Sequence, residues 1–220
     1  MKTSQRGLAE IAAHEGIVLS KYKDSVGVWT IGIGHTKNAG SPDPESVDGA
    51  LSLQEVMEIF ARDITKFEKR VTKAFTRKIT QSQFDAAVSF DFNTGGIHRA
   101  SWVKLFNSGN DQSARHAFMK WRKPREIIPR RQAECDLFFK AKYFGKGKVN
   151  VYSSTAKGKV LWSSGKRVSL SALSLDKPSE LLPDEAVDKQ ASSLRSILIL
   201  ATSISEFATA LSHKILKLFQ

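Results

Sequence analysis

Cysteine is nearly absent. Cys135 is the single thiol in 220 residues, so no internal disulfide can form and the core must stand on packing, as suits folding in a reducing cytoplasm. The opening segment, MKTSQRGLAEIAAHEG, lacks an apolar block of the length that a secretory signal or membrane anchor needs, and none is expected there. His, Cys and acidic residues do not recur at metal-ligand spacings, and no glycine-rich loop is built to cradle phosphate, so neither metal nor cofactor is expected. No nucleic-acid-binding module, internal repeat or long low-complexity tract is present, which argues against a specific nucleic-acid partner.

What is present is an ordinary globular balance, 41% hydrophobic and 25% charged, in a chain long enough for one domain and an addition. Charge is lopsided at +12. Residues 1–150 hold 25 basic against 16 acidic groups, and the remainder holds 9 against 6. Such a protein is drawn to polyanions, whether nucleic acid, anionic wall polymer or membrane surface.

The stretch richest in chemistry is EGIVLSKYKDSVGVWTIGIGHT, residues 15–36. Leu8, Ile11, Ala12 and Glu15 share one helical face, Ser4 can cap that helix, and Gly16 can end it. Glu15 is therefore expected partly desolvated and able to keep a proton, although a solvated helix-end Glu is the plainer alternative. The period then changes to two. Residues 17–22 and 28–33 read as a strand pair, with Lys23, Asp24, Ser25 and Gly27 in the turn. Asp24 is expected ionised in a solvated loop, with the Thr30 hydroxyl pointing the same way. Equally, Asp24 could be a backbone cap and Thr30 merely a good strand former. His35 and Thr36 tempt as catalysts, but a His that fixes the hairpin is the better reading. His14 is expected exposed.

Beyond a Pro/Gly-rich loop, Ser52 with Glu55 and Thr80 with Gln83 are capping boxes. The first opens a long helix to about Lys73; the second opens one that Asn93-Thr94-Gly95-Gly96 stops. Short helices are expected at 101–107 and 111–121, and a last one from Pro129 to Phe144. Residues 146–174 suggest two or three weak strands, 177–189 a linker, and 191–220 an amphipathic helix.

The frame EG-x-x-L-x-x-Y-x-D-x-x-G-x-x-TIG-x-GHT resembles that of phage-type lysozymes of glycoside hydrolase family 24, nearer the lambdoid endolysin branch. Phe92-Asn93-x-Gly95, the run from Ser101 through Asn107 to Gly109, and Pro129-Arg130-Arg131-x-x-Glu134 resemble that family's helical lobe. The likeness spans roughly residues 4–145 and implies an α+β, mainly helical two-lobe lysozyme-like fold. In it a small β-hairpin lobe and a long inter-lobe helix flank the glycan cleft, followed here by a C-terminal extension ending in an amphipathic helix. The expected division is 1–145 lysozyme domain, 146–190 extension and linker, and 191–220 terminal helix. The implied reaction is hydrolysis of the β-1,4 bond between N-acetylmuramic acid and N-acetylglucosamine in peptidoglycan, serving wall lysis in phage release. Glu15 matches the family's general acid, Asp24 its second carboxylate and Thr30 the water-positioning hydroxyl; His35, Asn93 and Arg130 are expected at the substrate. The rival reading is a retired lysozyme scaffold that binds wall or sits in the phage particle.

Lys120, Arg122, Lys123, Arg125, Arg130 and Arg131 form the densest basic cluster, expected to hold anionic wall polymer. Residues 146–220 have no counterpart in the resembled family; through 191–220 they could contact a membrane surface or self-associate, although a monomer is expected. The enzyme is expected in the bacterial cytoplasm, acting on the wall after release.

Overall fold

A computed structural model describes residues 1–170, which lie within one compact unit spanning Met1–Asp176. The expected linker at 177–189 and terminal helix at 191–220 fall outside the described residues.

Helix α1 spans Gln5–Glu15; the Ser4 hydroxyl accepts from the Gly7 N–H, and Gly16 follows at φ 77°. Strand β1, Ile17–Lys23, turns through Asp24 into β2, Trp29–Gly32, which pairs with the short β3, His35–Thr36. Helices α2 (Leu53–Asp63) and α3 (Thr65–Ala74) stand where one long helix is expected. The interruption is slight: Ile64 between them keeps helical dihedrals (φ −68°, ψ −20°), and its N–H reaches the Phe60 and Arg62 carbonyls. Both capping boxes form as read, at Ser52–Glu55 and Thr80–Gln83.

Helix α4 (Gln81–Thr94) runs through the core and ends on Gly95 in the left-handed conformation. Helices α5 (Ser101–Asn107) and α6 (Asp111–Phe118, capped by Asn110) and α7 (Ile128–Lys140) complete the helical layer. Its centre is Trp102, fully buried and ringed by Phe75, Phe90, Phe118 and Phe138 at centroid distances of 4.5–5.8 Å. Aromatic pairs of this kind add about 0.5–1.5 kcal/mol each beyond their buried area. Cys135 is buried and free.

Helix α7 stops at Lys140 rather than at Phe144 because the chain beyond it is captured elsewhere. The Glu10 carboxylate accepts the N–H groups of Phe144 and Gly145 at 2.8 and 2.7 Å, and the Tyr143 hydroxyl donates to Asp85 at 2.8 Å. Partners of that quality satisfy backbone donors that helix continuation would otherwise bond.

After Gly145 come β4 (Lys148–Ser154) and β5 (Val160–Ser169), two strands of the two or three expected. They join the same sheet, whose order is β3-β2-β1-β4-β5. β4 lies parallel to β1, with Ile17 opposite Val151 and Val18 opposite Tyr152, while the other pairs are antiparallel. The sheet thus runs past residue 145, where the first expected domain ends. Among the described residues no helix is long and apolar enough to cross a membrane.

Candidate active site

The sharp exit from α1 at Gly16 leaves Glu15 at the mouth of a cleft of about 390 Å³. Asp24 and Tyr22 line the same space from the β1–β2 arm, and Phe92 lines it from the helical layer. Helix and turn, 9 residues apart in the chain, therefore bring both carboxylates to one cavity.

Glu15 is only partly desolvated, less than a residue on the packed helix face. Its side chain is 33% exposed, because the last residue of the helix projects beyond the packed face. What holds it is Arg130 of α7, whose Nη1 donates to Glu15 Oε1 at 2.5 Å. Arg130 is itself buried, and its Nε donates to Glu134 Oε1 at 2.9 Å. Burial works against the charge on Arg130, yet the carboxylates of Glu134 and Glu15 outweigh it and hold its pKa above the usual value. Arg131, also buried, pairs with the other oxygen of Glu134, donates from Nη2 to Asn93 Oδ1 at 2.6 Å and from Nε to the Trp121 carbonyl at 2.9 Å. The Ser89 hydroxyl donates to Glu134 at 2.7 Å. A guanidinium fixed on both sides is a rigid rod between core and cleft.

Asp24 closes its own turn. Its Oδ1 accepts from the N–H groups of Val26 and Val28, both at 2.9 Å, while the Asp24 N–H donates to the Val28 carbonyl. The carboxylate is thus a backbone cap and a wall of the cleft at once, so the two readings of its sequence position are compatible. Tyr22, a position of the motif given no role above, stands near both acids. Burial, followed by the charges of Glu15 and Asp24, pushes its phenol up to about 12, so it remains a neutral hydrogen-bond donor at neutral pH.

Thr30 is placed differently from expectation. It is 2% exposed, does not line the cleft, and donates its hydroxyl hydrogen to the Val28 carbonyl at 3.0 Å. Of the three residues expected at substrate, His35 is withdrawn: it is 1% exposed, with Nδ1 2.8 Å from Asp63 Oδ2 and Nε2 2.8 Å from the Pro42 carbonyl. That makes His35 the hairpin fastener favoured above. Asn93 is exposed but accepts from Arg131, and Arg130 reaches the cleft through Glu15.

His14 also departs from its expected exposed setting. It stacks on Phe144 at 5.8 Å, and burial, then the charges of Arg130 and Arg131, bring its pKa down to about 4. An unfolded His binds its proton near pH 6.5. Stability is thus full above pH 6.5 and falls as pH drops towards 4, because only the unfolded chain gains the proton in that window. With solvent screening the loss is about 1–2 kcal/mol. Thermal melts at pH 7 and 4.5 should show a smaller difference for His14→Gln than for the native chain; equal differences would remove His14 as the cause.

The basic cluster divides. Lys120, Arg122 and Lys123 line a shallower cavity of about 230 Å³ with Trp121, whereas Arg130 and Arg131 are drawn into the core by Glu134.

The hairpin β4–β5 adds a wall that no motif announces. Tyr152 and Trp162 line the cleft opposite the helical layer. Its turn also braces the Asp24 arm: the Lys23 N–H donates to the Gly158 carbonyl at 2.8 Å and the Ser154 hydroxyl to the Lys21 carbonyl at 2.7 Å.

Residues 12–134 match the family model described as Phage lysozyme, a span that includes Glu15, Asp24, Thr30, Asn93 and Arg130. The endolysin of Salmonella phage P22 is 32% identical over 146 residues, covering 63% of this chain and 98% of that one. Among solved structures, the endolysin of Escherichia coli O157:H7 phage FAHEc1 aligns with a TM-score of 0.59 at 28% identity, over 66% of this chain and 97% of its own. A P22 lysozyme variant aligns with a TM-score of 0.58 at 28% identity, over 63% and 98%. With a family model matched over more than half of its length and these likenesses in sequence and fold, the chain belongs to the phage lysozyme family.

Proposed function

We propose that the protein is a muramidase, cutting the β-1,4 bond between N-acetylmuramic acid and N-acetylglucosamine of peptidoglycan and serving wall lysis in phage release. The observation that carries this is the shared cleft of Glu15 and Asp24. The relatives named lysozyme and endolysin support it.

Breaking the bond requires a proton on a poor leaving oxygen while positive charge grows on the sugar. Glu15 supplies the proton. Arg130 aims it: with Nη1 on Oε1, the other oxygen, Oε2, is left to face the glycosidic oxygen. Asp24 uses only Oδ1 in its turn, leaving Oδ2 to orient water and to face the cation-like carbon. Thr30 lies outside the cleft and gives its hydrogen to the carbonyl of Val28, the residue whose N–H holds Asp24, so it steadies the turn rather than the water. Lys120, Arg122 and Lys123 hold the anionic polymer.

The reaction inverts the anomeric centre, the outcome associated with carboxyls about 6.5–9.5 Å apart, with water between them and the sugar. NMR of fresh products should show the α-anomer first; a β-anomer would establish retention. Mass spectrometry of the muropeptides tests the function itself. Reducing-end products are expected; anhydro-sugars would mean a lytic transglycosylase, and an intact wall a retired scaffold.

A further inference from the structure

Tyr152 and Trp162 lie beyond residue 134, where the family model ends, yet both line the cleft that holds Glu15 and Asp24. Three features set them there. The parallel register puts Tyr152 opposite Val18, beside the exit of α1. Gly16, next to Glu15, leaves room for the ring, since a Cβ there would come 3.0 Å from it; Gly165 does the same from the other strand, at 2.8 Å. Finally, β5 bulges opposite Tyr152. Val151 pairs with Lys166 and Ser153 with Leu161, so four residues, 162–165, face one. Ser164 repairs the ladder, its Oγ accepting from the Ser153 N–H and donating to the Leu161 carbonyl. A bulge beside a site re-aims a side chain, and here Trp162 is re-aimed. Its ring meets Tyr152 edge-to-face at 5.1 Å and is still 69% exposed.

A large indole kept bare at a catalytic cleft and braced by a second aromatic is a stacking surface. A β-linked N-acetylhexosamine carries its ring substituents equatorially, so its two faces are C–H surfaces with positive hydrogens that match the negative face of an indole. We propose that Trp162, backed by Tyr152, is a sugar platform that extends the glycan-binding cleft of this chain by the β4–β5 hairpin. This rests on the muramidase reading for the nature of its ligand.

The test uses the full chain on purified peptidoglycan. Trp162→Ala should raise KM about ten-fold, equivalent to about 1.4 kcal/mol, and lower kcat far less, with an unchanged melting temperature. Trp162→Phe should recover most of the loss. In a second arm, an N-acetylglucosamine tetramer should shift tryptophan emission of the non-turning-over Glu15→Gln chain, and Trp162→Phe in that background should remove most of the shift. An unchanged KM in Trp162→Ala overturns the platform while leaving the muramidase reading intact. Loss of binding to phosphatidylglycerol vesicles with KM unchanged would assign the indole to a membrane instead, and overturns it too. If the native chain frees no reducing ends, the muramidase reading falls and the tetramer arm alone decides the platform.

Discussion

Glu15→Gln should leave a folded chain whose release of reducing ends from peptidoglycan is lower by at least about 10²-fold, within the range that a positioned general acid contributes. The amide has the shape of the carboxyl, and its oxygen can still accept from Arg130 Nη1, so the rod from α7 to the cleft stays assembled. What is lost is a transferable proton. Glu134 remains on the inner side of Arg130, so the melting temperature should move little. Activity within a few-fold of the native chain, at an unchanged melting temperature, would remove Glu15 from the acid role. A parallel collapse in both would show it to be structural.

The second large effect is expected at a residue that never meets substrate. Glu134 is 2% exposed and is bonded by Arg130, Arg131 and Ser89. Glu134→Ala leaves two buried guanidiniums side by side without the anion that separates them. Removing one partner from a buried network costs about 3–5 kcal/mol, a large part of the 5–15 kcal/mol that holds a typical domain. Urea unfolding should show the free energy of unfolding fall by that amount, read as a lower midpoint at a near-constant slope. A loss below about 1 kcal/mol would mean that solvent or Asn93 and Glu15 compensate. Lytic activity should fall as well, since Arg130 would no longer be aimed.

These two residues also mark how far the sequence could be read. Caps, turns and strand alternation are local, and so Ser4, Ser52, Thr80 and the Asp24 turn are found where their spacing puts them. The Glu15–Asp24 cleft was legible because the helix end, the turn and the hairpin all fall within 22 residues. The aim of Glu15 was not, because its partner Arg130 lies 115 residues away and no periodicity links them. Arg130 and Arg131 read as a charged face because a basic run carries no sign of the buried Glu134 that turns it inward. The end of α7 was misjudged for the same reason: Glu10, on α1, decides where the last helix stops. The second aromatic wall was hidden altogether, since weak alternation in 146–174 says nothing of which strand it will join.

That joining has a consequence for how the chain assembles. β1 is synthesised well before the residues that pair with it in parallel, since Val151 and Tyr152 follow Ile17 and Val18 by 134 positions. Until they arrive, that stretch of β1 keeps unbonded amides and carbonyls on one side, the arrangement that invites intermolecular strand pairing. Pairing across so long a loop is also slow, because closure entropy must be met before any contact rewards it. The hairpin that lends the cleft its indole is therefore also the closing piece of the sheet, and the molecule completes its catalytic arm only when nearly all of its described length has been made.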